Sequence, residues 1–420
     1  MRIVGLVIVL LVASLMTADA ATGTWVNVNP PASTSFHSIV ISNGAVLVGT
    51  DKHGIWRSTN QGTSWTKANT GAGASLVDGG AQWSMTTEAN TSIVYTTSAE
   101  GGRGILKSTD GGTSWTKVFS GFASTTDDVY TVSADPFRAG HVLASFHYYW
   151  NGSGPSGLIE SNNGGASWTI RQPPSNWGAG NAVWFGNNSD TWIVGSQDDG
   201  MWITSNAGAN WRQFDTSDLT HGGTEALYRD PVTGTLVVAD GIAHILRSTN
   251  NGQTWQNISS GLTYGYYETV VSDGVNLYTL PSFPIQNYDT GPWLTKTMLG
   301  NDAWHAQGTQ KPCQSGFCNG PIQGAFDGNY LYGAHWDAGV WRLQVGAAAP
   351  TNTPGVPTPT RTATPIPPTP TSTPAPPTAT STAIPPTPTP STVQVPAPPS
   401  SGCFVLTATD GTIDPTWRPC

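Results

Sequence analysis

The chain has 420 residues, a formal net charge of −9 and only 10% charged residues. Lacking clustered lysine and arginine, it has no footprint for a phosphate backbone, which excludes nucleic acid as a partner. Its 18 tryptophans are the opposite extreme: large rings that need packing partners or ligands.

Residues 1–20 read as a secretory targeting segment, with Arg2 as the positive start, Ile3 to Met16 as the apolar stretch and Ala18-Asp19-Ala20 as a small-residue cleavage site. No cysteine follows that stretch, so a lipid anchor there is not expected. No other apolar run is long enough for a membrane span. The mature chain is therefore expected to start near Ala21 and to be secreted.

Residues 21–346 are organised by a phrase that occurs five times. It reads Ser58 to Trp65, Ser108 to Trp115, Ser161 to Trp168, Thr204 to Trp211 and Ser248 to Trp255, with the pattern Ser/Thr-x-Asp/Asn-x-Gly-x-x-Trp. Spacings of 43 to 53 residues in an all-β context mean propeller blades. The Asp or Asn oxygen can accept from backbone N–H groups of its own turn, and the Gly supplies a conformation that side chains resist. The Trp is expected to bury its ring beside the hairpin. Satisfied turn groups of this kind are structural rather than catalytic.

A strand enters each phrase, as in Gly54 to Arg57, and a hairpin precedes it. In the first unit the hairpin is His37 to Ser42, an Asn43-Gly44 turn and Ala45 to Thr50. Two further units have lost the phrase: Thr269 to Trp304, and Gln323 to Leu343, which stops one strand short. Gly23 to Val28 matches the missing strand in kind. The expected fold is an all-β, seven-bladed propeller closed by its N-terminal strand, which removes two open sheet edges.

Residues 347–400 are dominated by Pro, Thr, Ser and Ala. They are expected to be a disordered, polyproline-like linker whose threonines are candidate O-glycosylation sites. Residues 401–420 form a short segment bracketed by Cys403 and Cys420. With Cys313 and Cys318 in one Gly-rich loop, two local disulfides are the natural assignment for an extracellular protein. Four cysteines permit three connectivities, and a metal reading of Cys313 and Cys318 lacks neighbouring ligands.

The phrase turns lie on one face of the ring, so the loops between second and third strands open on the other. That second face carries Asp51 and His53, Glu100 and Arg103, and the run His147, Tyr148, Tyr149 and Trp150. Further round it carries Asp198 and Asp199, Asp240, and His335, Trp336 and Asp337. Inter-blade connections add Trp83, Trp177, Tyr264 and Tyr266. Acids interleaved with aromatics suit a sugar, whose ring stacks on aromatic faces and whose hydroxyls bond to carboxylates. The bland alternative stands beside it: Asp51, Asp240 and Asp337 each precede a glycine, which is ordinary turn chemistry. The histidines have no metal-ligand spacing, and no cofactor is called for.

The repeats resemble the Asp-box propellers, a group that includes sialidases, xyloglucan-degrading glycoside hydrolases, the sortilin-type receptor domain and a photosystem assembly factor. The resemblance covers roughly residues 22–345 and is specific for fold, not activity. The arginine motif that the sialidases would imply is missing, because the first blade begins Phe36-His37-Ser38-Ile39. Gly49 to Arg57 is similar to the segment holding a catalytic Asp in the xyloglucan-degrading family, and Asp51 is the matching position. That family sets two propellers face to face, each giving one carboxylate, as glycosidic cleavage requires. One propeller supplies half of that arrangement, with Asp198 or Asp199 across the mouth as the candidate second acid. The resemblance thus implies a protein that binds or hydrolyses an extracellular polysaccharide or glycoconjugate; a monomer is expected, secreted through the targeting segment and with the C-terminal tail as a route to the cell surface. A non-catalytic protein- or peptide-binding scaffold is the alternative.

Overall fold

The structure is a computed structural model that describes residues 23–32, 34–99, 104–119, 129–146, 158–171, 182–196, 199–216, 227–239, 241–282, 291–314, 317–345, 403–409 and 412–418. The expected targeting segment and the Pro/Thr-rich stretch fall outside these residues.

Seven antiparallel sheets of four strands make the propeller. Blade 1 is Phe36–Ser42, Ala45–Thr50, Ile55–Ser58 and Thr66–Lys67; blade 2 is Met85–Thr87, Val94–Ser98, Gly104–Ser108 and Thr116–Phe119. Blade 3 is Val129–Ala134, Val142–Phe146, Leu158–Ser161 and Thr169–Arg171; blade 4 is Ala182–Phe185, Trp192–Ser196, Gly200–Thr204 and Arg212–Asp215. Blade 5 is Leu227–Arg229, Leu236–Ala239, Ile245–Ser248 and Gln256–Asn257; blade 6 is Val271–Ser272, Asn276–Thr279, Leu294–Thr297 and His305–Ala306. Blade 7 takes Pro321–Phe326, Tyr330–His335 and Gly339–Gln344 from the end of the repeats and its fourth strand, Val26–Asn27, from the start of the chain. The closing pairs are Val26 with Arg342 and Asn27 with Trp341.

First strands are innermost. They bond to one another across blades: the Ile39 amide donates to Gln323 Oε1 at 2.8 Å, Gln323 Nε2 donates to the Met85 carbonyl at 3.0 Å, and the Val183 amide donates to Thr131 Oγ1 at 3.0 Å. Fourth strands are outermost and solvent-facing, as at Val26–Asn27, Thr66–Lys67 and Gln256–Asn257. Second strands are buried on both faces, which is why Ala45–Thr50 and Trp192–Ser196 carry no exposed position. The core is divided accordingly. Apolar clusters fill each of the seven interfaces between neighbouring blades, such as Leu47, Ile55, Val94 and Trp115 between blades 1 and 2.

The repeated turns behave as their chemistry requires. In blade 1, Asn60 Oδ1 accepts from the Ser64 amide at 2.9 Å and Ser58 Oγ accepts from the Gly62 amide at 2.8 Å. Gly62, Gly112, Gly165, Gly208 and Gly252 all have φ between +75° and +89°. The Trp does something the sequence reading did not foresee. Besides lying against its own turn, as Trp65 and Trp255 do on Gly62 and Gly252, it reaches the preceding blade in three copies: Trp65, Trp115 and Trp168 Nε1 donate to the carbonyls of Val28, Ala68 and Val118 at 2.8, 3.0 and 3.0 Å. Trp304, in a blade without the phrase, makes the same bond to the Ile258 carbonyl at 2.8 Å. A cation on the third strand clasps the next turn in the other direction, with Arg57 on the Gly111 carbonyl and Lys107 on the Gly164 carbonyl.

Cys313 and Cys318 are disulfide-bonded across a short hairpin between blades 6 and 7. The C-terminal unit is described by itself: Cys403–Thr409 pairs with Thr412–Arg418, from Cys403 opposite Arg418 to Thr409 opposite Thr412. Cys420 lies outside the described residues, and so does any bond between it and Cys403.

Candidate functional site

On the face opposite the repeated turns, blades 7, 1 and 2 bring together residues from three parts of the chain. Three first strands carry a β-bulge at the same level, where one extra residue stands between pairs: His37 between the Phe36–Thr50 and Ser38–Gly49 pairs, Tyr130 in blade 3 and Ile322 in blade 7. A bulge re-aims its side chain. The His37 ring stacks on Trp83 with centroids 4.2 Å apart and planes 11° apart, and lies 4.7 Å from Trp336. Trp83 and Trp336 are 5.0 Å apart, and Trp83 also meets Tyr130 at 6.1 Å. Both tryptophans are half-buried, whereas His37 is 1% exposed.

Carboxylates sit on the loops that carry these rings: Asp337 follows Trp336, and Asp51 forms an isolated bridge with Ala81, two residues before Trp83. Asp51 follows the second strand of blade 1. Its amide donates to the Ser35 carbonyl at 3.1 Å, and its own carbonyl accepts from Thr34 Oγ1 at 2.9 Å and is met by His53 Nδ1 at 2.9 Å. With backbone and neighbours so pinned, its side chain remains 38% exposed, 3.9 Å from Lys52 Nζ. Asp337 Oδ1 accepts from Ser35 Oγ at 2.9 Å, so Ser35 ties both acid-bearing loops to the start of blade 1. Lys52 holds φ +59°, the left-handed region that costs a side chain energy, and Gly54 holds +83°. The Asp51 turn is thus a strained loop held by its surroundings.

Burial holds His37 neutral, its pKa lowered to about 3 by desolvation and then by the charge of Lys52. His335, expected among the ligand-contacting residues, is fully buried. Its Nδ1 meets the Asn319 carbonyl at 2.5 Å, its ring stands edge-on to Trp293, and burial lowers its pKa to about 4. It supports the Trp336 loop from within and offers no surface to a ligand. Asp199 is half-exposed; its carbonyl accepts from Trp202 Nε1 and Gln213 Nε2 at 3.0 and 2.9 Å. Glu100, Arg103, His147, Tyr148, Tyr149, Trp150, Trp177, Asp198 and Asp240 lie outside the described residues.

The structure therefore gathers Asp51, His53, Trp336 and Asp337 of the expected residues, together with Trp83, and adds His37 and Ser35. His37 escaped the sequence reading because strict alternation through Phe36-His37-Ser38-Ile39 gives it an ordinary inward position; the bulge that re-aims it has no signature in the local sequence.

A second ionisable group sits near the opposite face and has a different purpose. His141 Nδ1 is 2.6 Å from Asp135 Oδ2, and its Nε2 is 2.9 Å from Glu160 Oε1, all buried. Both ring nitrogens face carboxylate oxygens, so both must donate and the ring is an imidazolium. Arg171 Nε completes the set on Glu160 Oε2 at 2.6 Å. With every partner spent internally, this is an ion network that joins strands of blade 3. Among the described residues, no set of His, Cys, Asp or Glu has metal-holding geometry, and no helix is long and apolar enough to cross a membrane.

Fold and site together define a seven-bladed β-propeller with an aromatic, acid-flanked mouth. No protein-family model and no curated protein matches the chain. Solved structures do. The GH74 enzyme of Niastella koreensis superposes with a TM-score of 0.60 at 17% identity, over 78% of this chain and 55% of the enzyme. The GH74 xyloglucanase of Xanthomonas campestris gives 0.55 at 15% identity, over 78% and 55%. The chain spans about half the length of these enzymes. YCF48 bound to the D1 peptide gives 0.53 at 11% identity, over 77% of this chain and 97% of YCF48. At such identities the likeness is one of fold, and it extends to catalytic and non-catalytic propellers alike.

Proposed function

We infer that the protein is a secreted glycan-binding propeller whose ligand lies across the mouth formed by blades 7, 1 and 2. One observation carries this reading: two half-buried tryptophans, Trp83 and Trp336, stand 5.0 Å apart, with Asp337 next to Trp336 in the chain and Asp51 on the loop that bridges to Ala81, two residues before Trp83. Aromatic faces take the C–H face of a sugar, and carboxylates accept from its hydroxyls. The fold likeness to a xyloglucanase supports a plant-type polysaccharide as the first ligand to try. Binding is the function and hydrolysis the further possibility, because inverting or retaining cleavage needs a second carboxylate held across the bond from Asp51.

The test is affinity electrophoresis of the mature protein in gels containing soluble xyloglucan, mixed-linkage β-glucan, arabinoxylan or a sialylated glycoprotein. Retardation by a neutral polysaccharide, lost in Trp83→Ala and Trp336→Ala, supports the reading. Absence of retardation in every gel overturns it. The second reading, a peptide-binding scaffold, is favoured by the one-propeller-for-one match to YCF48 with its peptide. A positive peptide pull-down with no glycan retardation would establish that reading instead.

A further inference from the structure

Of the described groups at this mouth, His37 is the side chain whose hydrogen-bonding atoms are all buried and all without a partner. It is 1% exposed, and neither Nδ1 nor Nε2 has a hydrogen-bond partner. A buried polar atom without a partner is costly, and native proteins rarely keep one without a use. A phenylalanine would fill the same slot between Trp83 and Trp336 without that cost. The bulge that places the ring there also interrupts the pairing of blade 1, a second expense of putting an imidazole at this point.

We propose that His37 is the ligand's polar anchor, its ring nitrogens bonding a hydroxyl of an uncharged sugar seated against Trp83 and Trp336. The inference rests on the glycan-binding reading above and deepens it, since it names the class of sugar. A neutral imidazole offers one donor and one acceptor, and a hydroxyl is the ligand group that can satisfy either. A carboxylate could take only the single N–H of the neutral ring and would bring its own charge into a buried site between apolar rings, which is costly. A cationic amine would meet Lys52, whose charge already acts on this ring. Trp83 and Trp336 are half-buried and cover His37, so one of them must move aside when the hydroxyl binds. Neutral hexose and pentose units fit this description; uronic acids and amino sugars do not.

The experiment compares wild type with His37→Phe and His37→Gln, using soluble xyloglucan as probe and thermal unfolding as a separate readout. His37→Phe keeps the ring and both stacks and removes both nitrogens. The expected result is a Tm equal to or above that of wild type together with at least tenfold weaker binding, and partial recovery in His37→Gln. His37→Phe binding within twofold of wild type overturns the proposal. So does a fall in Tm that accompanies the loss of binding, since that marks a packing role. If wild type itself is not retarded, the glycan reading fails and this inference with it; if wild type binds and His37→Phe binds equally, His37 alone is refuted. Should His37→Phe not fold, ring nitrogen resonances of His37 in wild type decide. They shift on titration with a xyloglucan oligosaccharide if the proposal holds and stay fixed if it does not.

Discussion

Trp25 and Trp293 stack face to face, with ring centroids 3.9 Å apart and planes 8° from parallel. One belongs to the first described segment of the chain and the other to blade 6, and both are buried. Trp25 Nε1 also donates to Gln307 Oε1 at 3.1 Å, and Gln307 Nε2 returns a bond to the Gly23 carbonyl at 3.2 Å. The closing strand is thus anchored in blade 6 as well as paired in blade 7. Trp25→Ala should destabilise the propeller by about 3–5 kcal/mol, as for other buried tryptophans, and deletion of residues 23–29 should abolish cooperative unfolding. Urea denaturation followed by tryptophan fluorescence checks both. A truncated chain as stable as the full one would refute closure as a stabilising device.

The inter-blade bonds of the turn tryptophans predict a smaller effect. Trp115→Phe retains most of the buried ring and leaves the Ala68 carbonyl without its donor. The expected loss is about 1–3 kcal/mol, above what the change in volume alone would give. Trp65→Phe, at a half-buried site, should lose less because water can replace the indole. Equal losses at the two sites in chemical denaturation would contradict this account.

The His141 network predicts a pH window. Burial opposes the charge on His141, but its bonds to Asp135 and Glu160 outweigh that and raise its pKa. Its stabilisation is complete below the ordinary histidine value of about 6.5 and is lost as pH rises through the folded value. Burial likewise opposes ionisation of Glu160 and Asp135. Bonds from His141 and Arg171 nevertheless draw Glu160 down to about 2, and bonds from His141 and neighbours lower Asp135. Their stabilisation is present above about pH 4 and lost as pH falls through the folded values. The network's own contribution is therefore complete between about pH 4.5 and 6.5, whereas the buried neutral His37 and His335, with lowered folded values, cost stability as pH falls below about 6.5. In His141→Gln the decline on the alkaline side should flatten. An unchanged profile in that variant would remove His141 from the explanation.

The disulfide closes a loop between residues only 5 apart in sequence. Chain-entropy reasoning gives a stabilisation of about 2 kcal/mol for so short a loop. Replacing both cysteines by serine should lower Tm by a few degrees and leave the fold intact by circular dichroism. Loss of the native spectrum would show that the hairpin between blades 6 and 7 is needed for folding.

The strained Asp51 turn gives a functional prediction. Lys52→Gly relieves a left-handed side-chain residue at φ +59° and should gain up to about 1 kcal/mol. If the mouth depends on Lys52 for more than shape, glycan affinity will fall in the same variant. Asp51→Asn separates the two activities: binding retained with loss of any glycan cleavage supports a catalytic acid, and unchanged cleavage excludes it.

What could be read directly from the sequence was whatever the chain builds within a few residues of itself. The turn at Ser58 to Trp65 closes through bonds from residue i to i+4, so the phrase carries its own geometry and its five copies mark five of the seven blades. The closing strand was legible for the same reason: Gly23 to Val28 has the composition of a fourth strand and the last blade lacks one. Tertiary structure decided where side chains meet across distance. Trp65 reaches Val28, Trp25 reaches Trp293, and His37 finds Trp83 and Trp336. The partners stand far apart in the chain, joined by ring closure and by a bulge that shifts one residue out of alternation. No local pattern encodes such a shift, because the extra residue is chosen by the pairing of one strand with another and by what the neighbouring blades present. The propeller was therefore written in its turns, and its mouth only in its assembly.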